Sequence, residues 1–444
     1  MIEALREQFN GRFEAGRYEE LLRRLDARCG ARVGFRVAET PVFLPLGMLE
    51  RMAEAGREMT ERLLAWPEYL AAAERAIPPG YRVAGASAHP NFMTADFALA
   101  RGAGGELEPK LVEMQAFPSV YAYQAILAEE YRRAFELPGS LGAYLGGLND
   151  SSFWALLRQT VLGGHAPEHV VLTEVEPERQ KTLPDFLLTA ERLGIAVVDI
   201  AEIEPVGRKL HYRNAAGNLV PIYRIYNRAI ADEMMARRLR LRFDLEADWD
   251  VEWAGHPNWY FRVSKFAIPW LAGTAGTNAS AGHAAGHKTV PTAAFLEDFL
   301  TGSGYGPGYD ALAAAGVRLP DRSATKTKAG AVYEDLLLKP LFSFAGKGIV
   351  FAPSHEELLS IPVEERHNYL VQQRMSFEPT IATPRGLTQA EIRILYLWPD
   401  GDTQDGGRMT PAISLVRLGR GRMMGVDHNR NQEWVGGSAA FWSR

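Results

Sequence analysis

The stretch "LLLKPLFSFAGKGIVFA", Leu336 to Ala352, constrains this chain more than any other. Two apolar runs of strand length flank Lys339-Pro340 and a loop holding Gly346 and Gly348. Short apolar runs bounded by turn residues read as buried strands. Glycines lack a Cβ, so backbone amides there can close on an anion. A lysine at the end of the preceding strand offers that anion a fixed point charge. This is not a Walker loop, because G-x-x-x-x-G-K-[ST] is absent and no helix pattern follows. Taken alone, the segment reads equally well as a β-hairpin with an incidental lysine.

At 444 residues the chain exceeds one ordinary core, so two or three domains are expected. Hydrophobic residues at 47% and charged residues at 23% give a globular balance. A net charge of −5 gives no reason to expect nucleic acid or an anionic membrane as partner. The single cysteine, Cys29, excludes an internal disulfide framework and a cysteine-built zinc site, which suits a reducing cytoplasm. The first thirty residues are charged and helical in pattern, without the apolar core of a signal peptide. No run reaches the roughly 18 apolar residues of a membrane span.

Along the chain, residues 1–80 read mostly as helices, with apolar positions at three- and four-residue spacing in "GMLERMAEAGREMTERLLAWPEYLAAAERAI". Short strands follow in "NFMTADFALA" and "PKLVEMQ", then helices over 125–162 broken at "LPGS" and "LGGLND". An alternating segment comes next: strand "EHVVLTEV", a helix ending at Gly194, strand "IAVVDI", strand "LVPIYRIYNRAI", and a helix "DEMMARRLRLRF" with a solvated arginine face. "LAGTAGTNASAGHAAGHK" at 271–288 reads as a flexible loop and "TGSGYGPGYD" at 301–310 as a linker. From Ala331 the chain is strand-rich: "VYEDLLLKPL", "GIVFA", "NYLVQQRM", "EIRILYLW" and "AISLVRLG".

A second informative pattern, "TADFALARGAGGELEPKLVEMQAFPS", lies near the front. Seventeen residues separate Asp96 from Glu113, enough for a hairpin with its tip at "RGAGGELEP". On a strand Glu113 and Gln115 share a face. Strand, Lys-Pro, glycine loop, strand, polar strand end, then arginine strands bearing Arg393 and Arg417 resemble the ATP-grasp fold, in which two α/β lobes close on ATP. Most members of that family carry their metal strands after the glycine loop. Here the matching strands come first, so the chain resembles a circularly permuted member, similar to the synthetase domain of glutathionylspermidine synthetases. "VSKFAIPWL" adds the Ser-x-Lys segment that this group has upstream of Lys-Pro.

The resemblance covers roughly residues 85–444 and implies an α/β (α+β) chain. Its expected parts are an N-terminal helical segment over 1–80, metal-binding strands over 81–150, a Rossmann-like lobe over 151–262, a lid with the Lys-Pro and glycine loop over 263–372, and the remaining core over 373–444. It implies Mg²⁺ held by Asp96, Glu113 and Gln115, since magnesium wants hard oxygen ligands. It implies ATP held by Lys265, Lys339, Ser343, Gly346, Lys347, Gly348, Gln372, Gln373 and Arg393, with Lys339 and Arg417 acting on the transferring phosphoryl group. The activity implied is an ATP-dependent ligase joining a small-molecule carboxylate to an amine through an acyl phosphate. Gln115 stands where the family has asparagine, and Thr94 and Ala95 stand where relatives often carry arginine.

Blander readings stand beside these. Asp96 and Glu113 could be a hairpin's solvated acids, Lys265 a surface lysine, and Arg393 a structural strand arginine. Arg417 could pair with an acid such as Asp427, and Asn429 and Asn431 could simply form a turn. His283 and His287 have a zinc-like spacing but no carboxylate or cysteine nearby. The basic cluster at Tyr226-Asn227-Arg228 and beyond could hold a substrate carboxylate or be a solvated helix face. Cys29, at a helix end, reads as structural. The alternatives to a ligase are a nucleotide-binding accessory protein and an ATP-grasp phosphotransferase. The acid, the amine and the oligomeric state are left open.

Overall fold

The computed structural model describes residues 1–102, 104–275, 286–302, 304–320, 331–343, 346–401, 407–424, 429 and 431–444. The chain is a mixed α/β protein built on several sheets. The largest runs Val42–Pro45, Gly436–Ser443, Thr410–Gly419, Gly386–Leu397, Phe92–Arg101, Leu107–Gln115, with Ile381–Thr383 hairpinned onto the fourth. Its first pair is parallel and the rest antiparallel. Both faces are covered, as the alternation of side chains requires. Ala440 joins the cluster under the helix Leu46–Leu64, whereas Ala439 and Phe441 join the cluster under the helix Tyr121–Ala134.

Helix Leu46–Leu64 approaches the sheet at a glycine. A Cβ on Gly56 would lie 2.1 Å from Tyr396 Oη and 3.2 Å from the Ala95 side chain. That gap lets the fully buried Tyr396 hydroxyl donate to the Ala53 carbonyl at 2.9 Å, inside the helix.

A second sheet is wholly parallel, in the order Glu252–Ala254, Arg224–Asn227, Val170–Glu174, Ala196–Asp199. A third is antiparallel: Ala293–Phe295, Tyr369–Gln373, Leu336–Pro340, Val350–Phe351. The Lys-Pro strand therefore belongs to a different sheet from the Asp96 hairpin.

Several local expectations change. "LVPIYRIYNRAI" forms two strands: Leu219–Ile222 turns back onto Lys209–Arg213, and Arg224–Asn227 enters the parallel sheet. The helix after it spans only Ala231–Arg237, because Arg238 takes a positive φ of 49° and ends it. Beyond that point Leu239, Leu241 and Phe243 alternate with arginines and pack on one apolar cluster, a period-two pattern misread as helical. "TGSGYGPGYD" is not a linker. Leu300–Thr301 pairs with Gly304–Tyr305, the helix Pro307–Ala314 follows, and Tyr309 is buried against Phe299. Most of "LAGTAGTNASAGHAAGHK", including His283, lies outside the described residues, whereas His287 sits 3.3 Å from Glu58. Two strands of the main sheet, Val42–Pro45 and Gly436–Ser443, had no counterpart in the sequence reading. Cys29 is the last residue of helix Ala15–Cys29 and is buried. Burial pushes its thiol up to about 12, which keeps it protonated and unreactive. Among the described residues no helix is long and apolar enough to cross a membrane.

Candidate functional site

The site begins with strand register. Asp96 lies opposite Glu113 on one side and opposite Arg393 on the other; Glu391 lies opposite Arg417. Directly opposed residues of antiparallel strands share a face, so these five ionisable side chains form two rows on one side of the sheet. A bulge follows Asp96 in its pairing with the Glu113 strand. The rows are tied together. Arg393 grips Asp96 with two bonds, Nε to Oδ1 at 2.5 Å and Nη2 to Oδ2 at 2.7 Å. Arg417 Nη1 donates to Asp96 Oδ2 at 3.0 Å and also to Glu391 Oε1.

The third sheet faces these rows. Lys339 is 4% exposed, and its ammonium donates to Gln372 Oε1 at 2.9 Å and to the Val112 carbonyl at 3.3 Å. Lys265, between the short helices Asn258–Arg262 and Ala267–Leu271, lies 2.8 Å from Glu113 Oε1 and donates to the Ser343 carbonyl at 2.5 Å. Gln115 Nε2 donates to the same Glu113 oxygen at 3.0 Å. The loop after Lys339 turns through Gly346 and Gly348, at φ of 73° and 78°, a region that disfavours any other residue. Phe344 and Ala345 lie outside the described residues.

Between the sheets lies a cleft of about 1570 Å³, lined by Asp96, Glu113, Gln115, Lys339, Ser343, Gly346, Lys347, Gly348, Arg393 and Arg417 among others. Lys265 stands behind Glu113, and Gln372 behind Lys339. Gln373 does not line the cleft, and its backbone amide donates to the Thr292 carbonyl at 2.7 Å. Asn429 is buried and donates to the Met423 carbonyl, so it shapes a rim loop. Asp427 lies outside the described residues; among the described residues the acids that hold Arg417 are Asp96 and Glu391.

Sequence reasoning missed Glu391. Its signal was present, since Glu391 and Arg393 alternate with Ile392 and Ile394 and so share a face. Arg228, whose sequence context fits either a substrate carboxylate or a solvated helix face, is 5% exposed, lines the cleft and pairs with Asp185 at 2.8 Å. Glu174, at the end of its parallel strand, is equally buried in the cleft wall.

No family model and no curated protein matches the chain. Solved structures do resemble it. One is a glutathione synthetase-like effector from Globodera pallida in its apo form, with 10% identity, a TM-score of 0.48, and coverage of 90% of this chain and 95% of that one. Another is a putative gamma-glutamylcysteine synthetase from Methylobacillus flagellatus, with 13% identity, a TM-score of 0.35, and coverage of 83% and 84%. At these scores neither likeness carries a functional reading, which rests on the cleft itself.

Charge decides what the cleft can take. Among its described lining residues are eleven Lys and Arg and six Asp and Glu, an excess of five positive charges in a chain of net charge −5. A concave surface of that kind concentrates anions. Burial would raise the Asp96 carboxyl, but Arg393 and Arg417 more than offset it and hold it below the usual range. Burial raises the Glu391 carboxyl, with Arg417 opposing. Burial pulls the Lys339 ammonium down to about 8, with Glu113 opposing.

A nucleotide triphosphate fits these residues. The Ser343 hydroxyl is buried in the cleft wall with no partner among the described residues, and Lys339 is met only by neutral acceptors. Leu337, Ile349 and Phe351 add an apolar wall beside the loop. Magnesium does not fit the arrangement. Both oxygens of Asp96 are bonded to guanidiniums, and Glu113 Oε1 is shared by Lys265 and Gln115.

Proposed function

We propose that the chain is an ATP-dependent carbon–nitrogen ligase that joins a small-molecule carboxylate to an amine. ATP is a substrate. Lys339 and the loop of Ser343, Gly346, Lys347 and Gly348 hold its phosphates, with Lys265 supporting the loop through the Ser343 carbonyl and the apolar wall beside the adenine. Arg393 and Arg417 stand at the far end, where the γ-phosphoryl group is transferred. A carboxylate oxygen attacks the γ-phosphorus, the bond to ADP breaks, and an acyl phosphate forms. The amine nitrogen then attacks the acyl carbon, the bond to phosphate breaks, and the nitrogen loses a proton to solvent. The protein's contribution is positioning and charge stabilisation, with the loop excluding water that would hydrolyse the acyl phosphate. Magnesium has no step in this scheme, because two guanidiniums engage both oxygens of Asp96 and Lys265 engages Glu113.

One observation carries the reading: lysines and a glycine loop from one sheet face two arginines from another across a cleft with excess positive charge. The order of those motifs, similar to a permuted ATP-grasp chain, adds to it. The test is ADP release by the full chain across a panel of amino acids, peptides and polyamines. Release that depends on both an acid and an amine, with an amide found by mass spectrometry, supports the ligase. A phosphorylated product without an amide replaces it with a phosphotransferase. Nucleotide binding with no release under any pair leaves a binding protein, the reading that the engaged Asp96 favours.

A further inference from the structure

We propose that this chain binds its nucleotide without a divalent cation, with Arg393, Arg417 and Lys339 meeting the triphosphate charge; the inference rests on the nucleotide reading above. An ionised carboxylate accepts through two oxygens. On Asp96, Oδ1 receives Arg393 Nε, and Oδ2 receives both Arg393 Nη2 and Arg417 Nη1. A magnesium ion bonded to either oxygen would sit about 2.1 Å from it, beside two guanidiniums, and like charges at that range repel strongly. Asp96 is 3% exposed, so water does little to screen that repulsion. On the second expected ligand, Glu113, a cation already meets one oxygen, with Lys265 at 2.8 Å from Oε1. The third, Gln115, turns its amide nitrogen to that oxygen.

The cations themselves surround the cleft from both sides. Arg393 and Arg417 are set by strand register, and Lys339 and Lys347 line the cleft from the glycine-loop side. Guanidiniums match phosphate oxygens as well as they match carboxylates. Asp96 then acts as an internal counter-anion. It keeps two buried arginines paired while the cleft is empty, and the incoming phosphates compete with it for them.

That role and a metal-ligand role give opposite signs. The experiment is calorimetric titration of the full chain with ATP, once in EDTA and once in excess Mg²⁺, for wild type and for Asp96→Asn. The expected result is a wild-type Kd in EDTA within about tenfold of that in Mg²⁺. Removing the competing carboxylate should tighten binding in EDTA by about threefold or more. Tightening of the wild type by more than about tenfold in Mg²⁺ overturns the proposal, as does weaker binding by a folded Asp96→Asn. If that variant fails to fold, the wild-type pair of titrations decides alone. Binding in both buffers with no ADP release from any substrate pair leaves this proposal standing and removes the ligase. No ATP binding in either buffer removes the nucleotide reading and this proposal together.

Discussion

Nucleotide affinity should fall as pH rises through about 8, and Lys339 should be the cause. Burial lowers its ammonium to about 8, with Glu113 opposing and Lys265 adding to the fall. A phosphate at contact distance would restore the charged form toward its ordinary value, so the anion binds the protonated cleft preferentially. One unit below the midpoint roughly nine in ten free molecules carry the ammonium, and one unit above it roughly one in ten. An anion that needs the charge therefore weakens about tenfold between pH 7 and pH 9, or about 1.4 kcal/mol. The last ionisation of a terminal phosphate, near pH 6, is almost complete over that range and adds little of its own. The assay is calorimetric titration with ATP in EDTA at pH 7, 8 and 9, on wild type and Lys339→Met. The variant removes the titrating group and one donor to Gln372, so it should bind weakly and with a flat profile. A wild-type Kd constant within about twofold from pH 7 to 9 would refute the reasoning. A Lys339→Met variant with the wild-type slope would assign the titration to another group.

Three further outcomes concern the frame around the site. Burial holds the Glu174 carboxyl up at about 8, against 4.5 when unfolded, so the folded state binds more protons between those values and wild-type stability falls as pH rises from 5 to 8. Glu174→Gln removes that fall, and its advantage in urea denaturation should grow by about 2–4 kcal/mol from pH 5 to pH 8; a constant gap contradicts the assignment. Gly56→Ala drives a Cβ to within 2.1 Å of Tyr396 Oη. It should cost about 1–3 kcal/mol of stability in the same assay despite the better helix propensity of alanine. Asp96→Asn should cost about 3 kcal/mol, because Arg393 and Arg417 lose their shared charge, and ATP should raise its melting temperature more than that of wild type.

What the sequence disclosed follows the range of the interaction involved. The hairpin carrying Asp96 and Glu113 is legible because its two strands are close in sequence and its turn is glycine-rich. The strand with Lys339 is legible because its apolar run stops at a Lys-Pro pair. Helix ends at Gly30 and Gly194 are legible for the local reason that both glycines take left-handed φ. Val42–Pro45 was hidden by prolines at both ends, and Gly436–Ser443 by small residues that read as loop but fit between strands already packed by helices. Pairing in the site was not legible at all. Asp96 meets Arg393 across 297 residues and Arg417 across 321, and no local pattern carries a register of that span. Magnesium was therefore expected from residue type alone, where the register puts guanidiniums on the same oxygens.

Among the described residues, that register also leaves one cation of the cleft without an acid after so much internal pairing. Burying charge is tolerable only when each charge is matched. Asp96 and Glu391 are matched by Arg393 and Arg417, and Glu113 is matched by Lys265. Lys339 is the exception. It is as deeply buried as Lys265, but its contacts are an amide oxygen and a backbone carbonyl, and among the described residues it has no salt bridge. An ammonium held by neutral acceptors keeps a depressed pKa until an anion arrives, so part of its desolvation cost is recovered only on binding. The neighbouring ion pairs fix the geometry around it without neutralising it. Substituting any one of their members should therefore disturb the fold and the affinity together, whereas Lys339→Met should lower affinity with little loss of stability, since it removes a buried charge that no acid pairs with among the described residues.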